Sequence, residues 1–265
     1  MSKIITMVDF FTMQAKRMRF DEETFVLLFP LKDRHKLPEV EMLARPLGIT
    51  ASYFFDEARK YNRVIDIDLM TFERAVVAHL ISGKRVSINL NAETFFTDRL
   101  WAKLDEISFK YPTFNPKNIC LEITEQGGIP KNFDPQALLA LKARGFSLAL
   151  DDFDHRDPKE WDRLNLFAPH VDIVKCPYQV METVREGSLT DSLTFADDVR
   201  MIKIRYPHLK LVMEGVRSSD SDLYTTLEKI GFHIVQPTSY VTEPRANQGQ
   251  KVAFTSSALE LAQLA

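Results

Sequence analysis

From residue 84 onward the chain repeats one pattern: a helical segment, a turn, and a short apolar run that ends on a polar residue. Such runs, which hardly alternate with polar residues, are typical of strands covered on both faces, as in a parallel sheet. Six of them follow in order: KRVSINLN (84–91), NICLEITE (118–125), FSLALDD (146–152), VDIVK (171–175), LKLVME (209–214) and FHIVQ (232–236). The pattern therefore predicts an α/β fold with a parallel sheet.

The segments between these runs carry the punctuation of helices. In NFDPQALLALKARG, Asp134 can cap the first free amides, Pro135 suits the first helical position, and Gly145 allows a left-handed exit. The segment SSDSDLYTTLEKIG repeats this order and ends at Gly231. Residues 52–82 carry apolar side chains at helical spacing and are predicted to form one or two helices.

Two further apolar runs upstream, at residues 24–31 and 39–46, bring the total to about eight strands, the number in a closed (β/α)8 TIM-type barrel. The linker between them is too short for a crossover helix, so this first pair of strands is predicted to be antiparallel. We predict an amphipathic helix over residues 1–21, the barrel over 22–248, and a tail or short helix over 249–265.

The composition narrows the class of partner. The chain is 45% hydrophobic and 27% charged, as in ordinary globular proteins, and its formal charge of −3 creates no basic field for DNA, RNA or an anionic membrane. No stretch approaches the ~20 consecutive apolar residues of a membrane span, and the N-terminus lacks the marks of a secretory signal. We expect a cytoplasmic protein in which Cys120 and Cys176 are reduced core thiols.

Polar side chains close the predicted strands, and in a parallel barrel these strand ends meet at one rim. They are Glu41, Asn89, Glu122, Asp151, Asp152, Lys175, Glu214 and Gln236. Crowded carboxylates repel one another and retain protons unless a cation lies among them. The set has no His or Cys, and its carboxylate and amide oxygens are the ligands that Mg²⁺ and Mn²⁺ prefer. Adjacent acids can also engage two ions, an arrangement that cleaves phosphoesters.

Three basic residues extend this prediction. Lys175 would orient an attacking water or neutralise a phosphate, and Arg45 could bind an anionic ligand through a bidentate contact of its guanidinium. His155 is either a substitute metal ligand or, as we expect, an exposed loop residue. A barrel of the enolase type also uses strand-end acids, with a lysine or histidine base at a strand end. Lys175 is the one base at the end of these runs, so we favour phosphoester cleavage.

These residues resemble the EAL domain family, barrels that hydrolyse the bacterial second messenger cyclic di-GMP. The family's motifs stand in chain order as Glu41 to Arg45 (E-x-L-x-R), Asn89 (NLS), Glu122 to Glu125 (E-x-T-E), Asp151 to Phe153 (DDFG), Lys175, Glu214 to Val216 (EGVE) and Gln236 (QG). The resemblance extends from about residue 22 to 248. Family members cleave one phosphodiester bond to give linear pGpG, with Mg²⁺ or Mn²⁺ and often as dimers.

The resemblance implies a role for each motif residue. The first metal would be held by Glu41, Asn89, Glu122 and Asp151. A second metal would be shared by Asp151 and Asp152. Catalysis would involve Lys175, which fixes the attacking water, Glu214, a base or further ligand, and Glu125, which anchors the loop after the aspartates. Substrate would contact Arg45 and Gln236.

The chain departs from the family in its C-terminal half. Residues 154–158 replace a glycine-rich loop, Pro177 replaces the acid of K-I-D, Arg217 replaces the last acid of EGVE, and Pro237 follows Gln236. Because these changes surround the second metal, metal binding at the first site is expected to survive better than catalysis. The sequence leaves two functions open: a slow phosphodiesterase, and an inactive EAL domain that regulates by binding cyclic di-GMP or a protein partner.

Overall fold

The computed structural model of the chain describes residues 25–27, 29–30, 38–44, 46, 50–126, 128–186, 189–217 and 221–237. The predicted helix over 1–21, the side chain of Arg45 and the predicted tail over 249–265 lie outside the described residues. Within the part of the chain that is described, no helix is both long enough and apolar enough to cross a bilayer.

The described strands form a single sheet. They are β1 (Phe25–Leu27), β2 (Phe29–Pro30), β3 (Val40–Met42), β4 (Val86–Leu90), β5 (Ile119–Ile123), β6 (Ser147–Leu150), β7 (Ile173–Cys176), β8 (Lys210–Val216) and β9 (Phe232–Pro237). Strands β3 to β9 pair in parallel, in chain order. Strand β1 pairs antiparallel with β3, and β2 pairs antiparallel with β9. The segment that carries β1 and β2 therefore joins both edges of the parallel sheet into a barrel, which confirms the predicted fold class.

Helices connect the parallel strands, as the alternating pattern predicts. They are α1 (Ala51–Lys60), α2 (Val64–Ser82), α3 (Asp98–Lys110), α4 (Pro135–Arg144), α5 (Pro158–Phe167), α6 (Tyr178–Glu186), α7 (Leu189–Arg205) and α8 (Ser221–Ile230). A 3-10 helix, Ala92–Phe96, follows β4. The segment 52–82 forms two helices because the chain turns at Asn62, whose φ of 53° is left-handed.

The ends of α4 follow the sequence prediction. The Asp134 side chain accepts a hydrogen bond from the backbone N–H of Gln136, Pro135 occupies the first turn, and Gly145 exits with a φ of 108°. Asp157 caps α5 in the same way by accepting from the backbone N–H of Lys159. These caps depend on residues close in sequence, so they could be predicted without knowledge of the tertiary fold.

An apolar layer fills the barrel directly below its polar rim. It consists of Cys120, Ala149, Ile173, Val212 and Ile234. Side chains two residues apart on a strand point to the same face, so the layer above it holds the predicted polar residues. That upper layer consists of Glu122, Asp151, Lys175, Glu214 and Gln236. Cys120 and Cys176 are buried free thiols, as predicted.

Candidate metal centre

Four carboxylates surround one ammonium group at the carboxyl end of the barrel. The Nζ atom of Lys175 lies 3.0 Å from Glu41 Oε2, 2.8 Å from Glu122 Oε2, 3.1 Å from Asp151 Oδ1 and 2.9 Å from Glu214 Oε1. The Lys175 side chain is only 2% exposed, so water screens these pairs weakly. Five residues predicted from separate strand ends therefore meet in space.

The register of the sheet explains why they meet. Asn89 on β4 lies opposite Glu122 on β5, and Glu214 on β8 lies opposite Gln236 on β9. Asp151 follows β6 directly, and its backbone N–H donates to the Ile123 carbonyl at 3.0 Å. Because the strands are parallel and end at similar heights, each contributes a side chain to the same rim.

Two amides complete the environment of Glu41. Asn89 Nδ2 donates to Glu41 Oε1 at 2.6 Å, and Gln236 Nε2 donates to Glu41 Oε2 at 2.8 Å. Burial by itself raises the pKa of Glu41, but the Lys175 ammonium and these donors outweigh it and bring the pKa below its ordinary value. Glu41 is thus held as a carboxylate. It is only 2% exposed, whereas an acid at a strand end is ordinarily open to solvent.

The other acids lack enough positive charge. One ammonium beside four carboxylates leaves a formal excess of three negative charges if all are ionised. Burial, with neighbouring acids, raises the pKa of Glu122 well above its ordinary value, of Asp152 to about 8 and of Glu214 to about 7. A divalent cation would relieve this excess.

The donor atoms fit such a cation. One oxygen from each of Glu41, Glu122 and Asp151 lies within 4.8 Å of the others. Among the described residues, the buried atoms Asn89 Oδ1, Glu122 Oε1 and Gln236 Oε1 have no hydrogen-bond donor. Buried acceptors without a donor are costly, and a cation would satisfy them. Since every candidate metal ligand in this set is an oxygen atom, the set suits a hard ion of the Mg²⁺, Mn²⁺ or Ca²⁺ type.

Asp152 adopts an unusual backbone conformation. Its φ is 53°, in the left-handed region that residues other than glycine rarely enter. The neighbouring residues hold it there, because Phe153 is buried and its N–H donates to the Lys175 carbonyl at 2.8 Å. Local strain of this kind is concentrated at functional sites. The turn lets Asp151 and Asp152, adjacent in sequence, both line the cleft.

The acids form the floor of a cleft of about 340 Å³. Glu125 and Gln236 also line it. One wall, which the sequence analysis missed, comes from α1 and the ends of β4 and β5. It includes Ala51, Ser52, Phe55, Asn91 and Gln126. Two sequence signals could have identified this wall. Ala51 and Phe55 share a helix face, and Asn91 is two residues after the candidate ligand Asn89, so both point the same way.

The loop after the aspartates is fastened by its own polar contacts. The His155 side chain is only 8% exposed, and its Nδ1 lies 2.7 Å from Asp198 Oδ2 on α7. The expectation that His155 is an exposed loop residue is therefore wrong, because α7 packs over it. Arg156 pairs with Asp154 at 2.5 Å and donates to Thr183 on α6.

The substituted acids also have new surroundings. Arg217 pairs with Glu182 on α6 at 3.2 Å, and both side chains are partly exposed. Pro177 precedes α6, whose first residue, Tyr178, packs closely on Gly215. Gly215 has a φ of 71°, and a Cβ built there would lie 2.9 Å from the Tyr178 Cα, so this position requires glycine.

Comparison with known proteins identifies the family. Residues 38–237 match the EAL domain, three quarters of the chain, and the protein belongs to the EAL domain family. This agrees with a parallel barrel that collects acids, amides and one lysine at its carboxyl rim.

Solved structures share the fold. The EAL enzyme Bd1971, with cAMP and cyclic di-GMP bound, superposes with a TM-score of 0.66 and 17% identity over 80% of this chain and 59% of that one. An EAL domain protein from Listeria monocytogenes EGD-e gives 0.65 and 18% over 88% and 92%. Klebsiella pneumoniae BlrP1, a manganese and cyclic di-GMP complex, gives 0.63 and 21% over 82% and 55%. The chain thus spans little more than half of Bd1971 and BlrP1.

Proposed function

We propose that this EAL domain is a slow, metal-dependent phosphodiesterase that hydrolyses one phosphodiester bond of cyclic di-GMP to linear pGpG. The observation that carries the proposal is the convergence of Glu41, Glu122 and Asp151 beside the unpaired oxygen of Asn89. The cyclic di-GMP complexes of Bd1971 and BlrP1 support the choice of substrate. We expect the protein to act in the bacterial cytoplasm and, by family resemblance, as a homodimer.

The first metal, Mg²⁺ or Mn²⁺, would be held by Glu41, Asn89, Glu122 and Asp151. When bound, it supplies Lewis-acid stabilisation of the phosphoryl charge and activation of the nucleophile. Asp152 would join Asp151 at a second ion. Asp152 is adjacent to Asp151, lines the same cleft, and has a pKa raised to about 8 by burial and by the Asp151 charge, so a cation there would be favoured.

Glu214 is our candidate for the general base. Burial raises its pKa to about 7, which suits a group that must accept a proton near neutral pH. Lys175 Nζ lies 2.9 Å from Glu214 Oε1 and can orient both this carboxylate and the attacking water. The water oxygen would bond to phosphorus as one of its protons passes to Glu214. The bond from phosphorus to the leaving ribose oxygen would break, and that oxygen would take up a proton from solvent.

Two further residues would contact substrate. Gln236 lines the cleft and donates to Glu41 at 2.8 Å, so it would support a ligand as well as meet the dinucleotide. The role of Arg45 in binding a phosphate stays a prediction, since that residue lies outside the described part of the chain.

A second candidate function is that of an inactive EAL domain, which binds cyclic di-GMP or a protein partner and acts as a regulator. The pairing of Arg217 with Glu182 favours it, because a cation with its own partner stands where the family has an acid. Pro177, which carries no charge, occupies the other position.

One experiment separates the two functions. Purified protein is incubated with cyclic di-GMP and Mn²⁺, the products are separated by chromatography, and binding is measured in parallel by calorimetry with Ca²⁺. Appearance of pGpG that is absent from Glu41→Gln supports the enzyme. Tight binding without pGpG supports the regulator, and absence of both binding and turnover contradicts every role that uses the dinucleotide.

A further inference from the structure

Arg59, on α1, joins three segments beside the cleft. Its Nη1 donates to Asp56 Oδ1 at 2.8 Å, and its Nη2 donates to Asn91 Oδ1 at 3.3 Å and to Gln126 Oε1. Asn91 follows β4, Gln126 follows β5, and both line the cleft. The rigid, planar fork of arginine suits such multiple contacts. One guanidinium therefore sets the spacing of α1 and two strand ends.

Asp68, on α2, holds Asn91 from the opposite side. This carboxylate is fully buried and accepts from the Asn91 backbone N–H at 2.8 Å, from Asn91 Nδ2 at 3.1 Å and from Thr94 Oγ1 at 2.6 Å. Asn91 thus donates to Asp68 and accepts from Arg59, which determines the orientation of its amide. Buried carboxylates are costly unless hydrogen bonded, and here two of the three hydrogen bonds come from Asn91, a residue of the cleft wall.

The wall held by this network differs in charge from the floor. The floor is formed by Glu41, Asp151 and Glu214, carboxylates in contact with Lys175, whereas the wall residues Ser52, Phe55, Asn91 and Gln126 are neutral. Glu125, which precedes Gln126, is the acid that borders this wall. Phe55 is braced by an edge-to-face contact with Phe54 at 5.5 Å. A phosphodiester would lie over the acidic floor with its metal, while a neutral, planar, hydrogen-bonding group suits the amides and the aromatic ring of the wall.

We propose that Arg59 and Asp68 are positioning residues for nucleotide binding: they hold Asn91 and Gln126 as a neutral wall against which a base of the bound dinucleotide lies. This inference rests on the proposed function. Neither residue contacts the carboxylate cluster in the described contacts, so substrate affinity and metal affinity respond to them separately.

The test compares two adjacent basic residues of α1. Arg59→Ala removes the network, and Lys60→Ala is its matched control, because Lys60 pairs with Glu57 at 2.5 Å as Arg59 pairs with Asp56, yet faces solvent. Calorimetry with cyclic di-GMP and Ca²⁺, the ion of one BlrP1 complex, measures affinity without requiring turnover. Titration with Mn²⁺ alone measures the metal site.

We expect Arg59→Ala to raise the Kd for cyclic di-GMP by about ten-fold or more, the effect of losing one or two hydrogen bonds to a charged group. Lys60→Ala should leave it unchanged, and the Mn²⁺ affinity should stay within about two-fold in both. Gln126→Ala, which leaves α1 intact, should weaken binding in the same direction and carries the test if Arg59→Ala fails to fold. Asp68→Asn should also weaken dinucleotide binding.

Three results would overturn the inference. Unchanged dinucleotide affinity in Arg59→Ala and Gln126→Ala would mean that the wall does not contact the ligand. An equal loss of Mn²⁺ affinity would mean that Arg59 acts through the metal site. If the unmodified protein binds Mn²⁺ but no dinucleotide, the proposed function fails first, and the inference fails with it.

Discussion

The barrel rim has two halves, one formed by β3 to β6 and the other by β7 to β9. They differ in how many of the EAL family's motif residues they retain. The first half (the conserved half) retains all four candidate oxygen ligands, Glu41, Asn89, Glu122 and Asp151, and its buried acceptors fit a cation. The second half, taken together with the loop that follows β6 (the exchanged half), retains Lys175 and Glu214 but has Pro177 and Arg217 where the family has acids. The difference teaches that the residues proposed to bind a first metal can persist while those around the proposed second metal are exchanged.

The exchanged residues are well accommodated. The largely covered His155 side chain pairs with Asp198 on α7, and Arg217 pairs with Glu182 on α6. A half of the rim that had merely lost its function would not need such matched contacts. We infer that the second half has a stable arrangement of its own, and five predictions test this contrast.

The largest effect is expected at Glu41, in the conserved half. Glu41→Ala removes one ligand, so Mn²⁺-dependent hydrolysis should fall by more than about 100-fold, the upper range for a residue that only supports a ligand. Chromatography of pGpG measures it, and circular dichroism checks the fold. Glu39→Ala, which changes the acid just before the start of β3, is the control. Unchanged turnover in Glu41→Ala would refute the site.

The next effect is expected at Gly215, in the exchanged half. Gly215→Ala places a Cβ against Tyr178 at a left-handed φ, so the free energy of unfolding should fall by about 2–3 kcal/mol. Because Glu214 precedes it, turnover should fall about ten-fold as well. Gly83→Ala is matched, since Gly83 has a φ of 68° with open space around it. Equal destabilisation in both variants would show that the Tyr178 contact is unimportant.

Rebuilding the loop should raise turnover. Glycine-rich residues at 154–156, with the Asp157 cap retained, would free the loop from Asp198 and Thr183. We expect turnover to increase up to about ten-fold and the free energy of unfolding to fall by about 1–3 kcal/mol. Urea unfolding and pGpG release measure the two quantities. A gain that His155→Ala alone reproduces would trace the effect to the Asp198 pair, and no gain would show that the loop does not limit turnover.

The pH dependence of the free energy of unfolding should reveal the titration of Asp68, which lies beneath the conserved half. Burial raises the pKa of Asp68 to about 7, so between about pH 4 and pH 7 the folded protein binds a proton that the unfolded chain has released. The free energy of unfolding then decreases as the pH rises, by up to about 1.4 kcal/mol per pH unit. The difference between wild type and Asp68→Asn in urea unfolding isolates this slope from that of the rim acids. Parallel curves would contradict it.

The smallest effect is expected for the exposed pair of the exchanged half. Arg217→Glu and Glu182→Arg should each cost less than about 1 kcal/mol in the free energy of unfolding, because exposed ion pairs are weak. The double exchange should recover that loss in a double-mutant cycle. If Arg217→Glu also raises turnover, the missing acid limits catalysis, and the hypothesis of an inactive regulator loses its main support.

The sequence by itself determined the barrel, the order of its polar strand ends and the caps of its helices. Those features depend on period, on turn chemistry and on neighbours such as Asp134 and Gly145, whose effects extend over a few residues. Strand ends in a parallel barrel share one rim by geometry, so the sequence alone is enough to predict that the acids lie near one another.

Only the tertiary structure decided which groups touch. Lys175 lies among four carboxylates, Arg59 reaches a residue 67 positions away, and His155 contacts Asp198, 43 positions further along. These contacts depend on how each helix is set against the sheet, and that packing is determined by the whole core rather than by any local stretch. The neutral wall of the cleft therefore could not be read from the motifs, because its residues are brought together by α1 and α2.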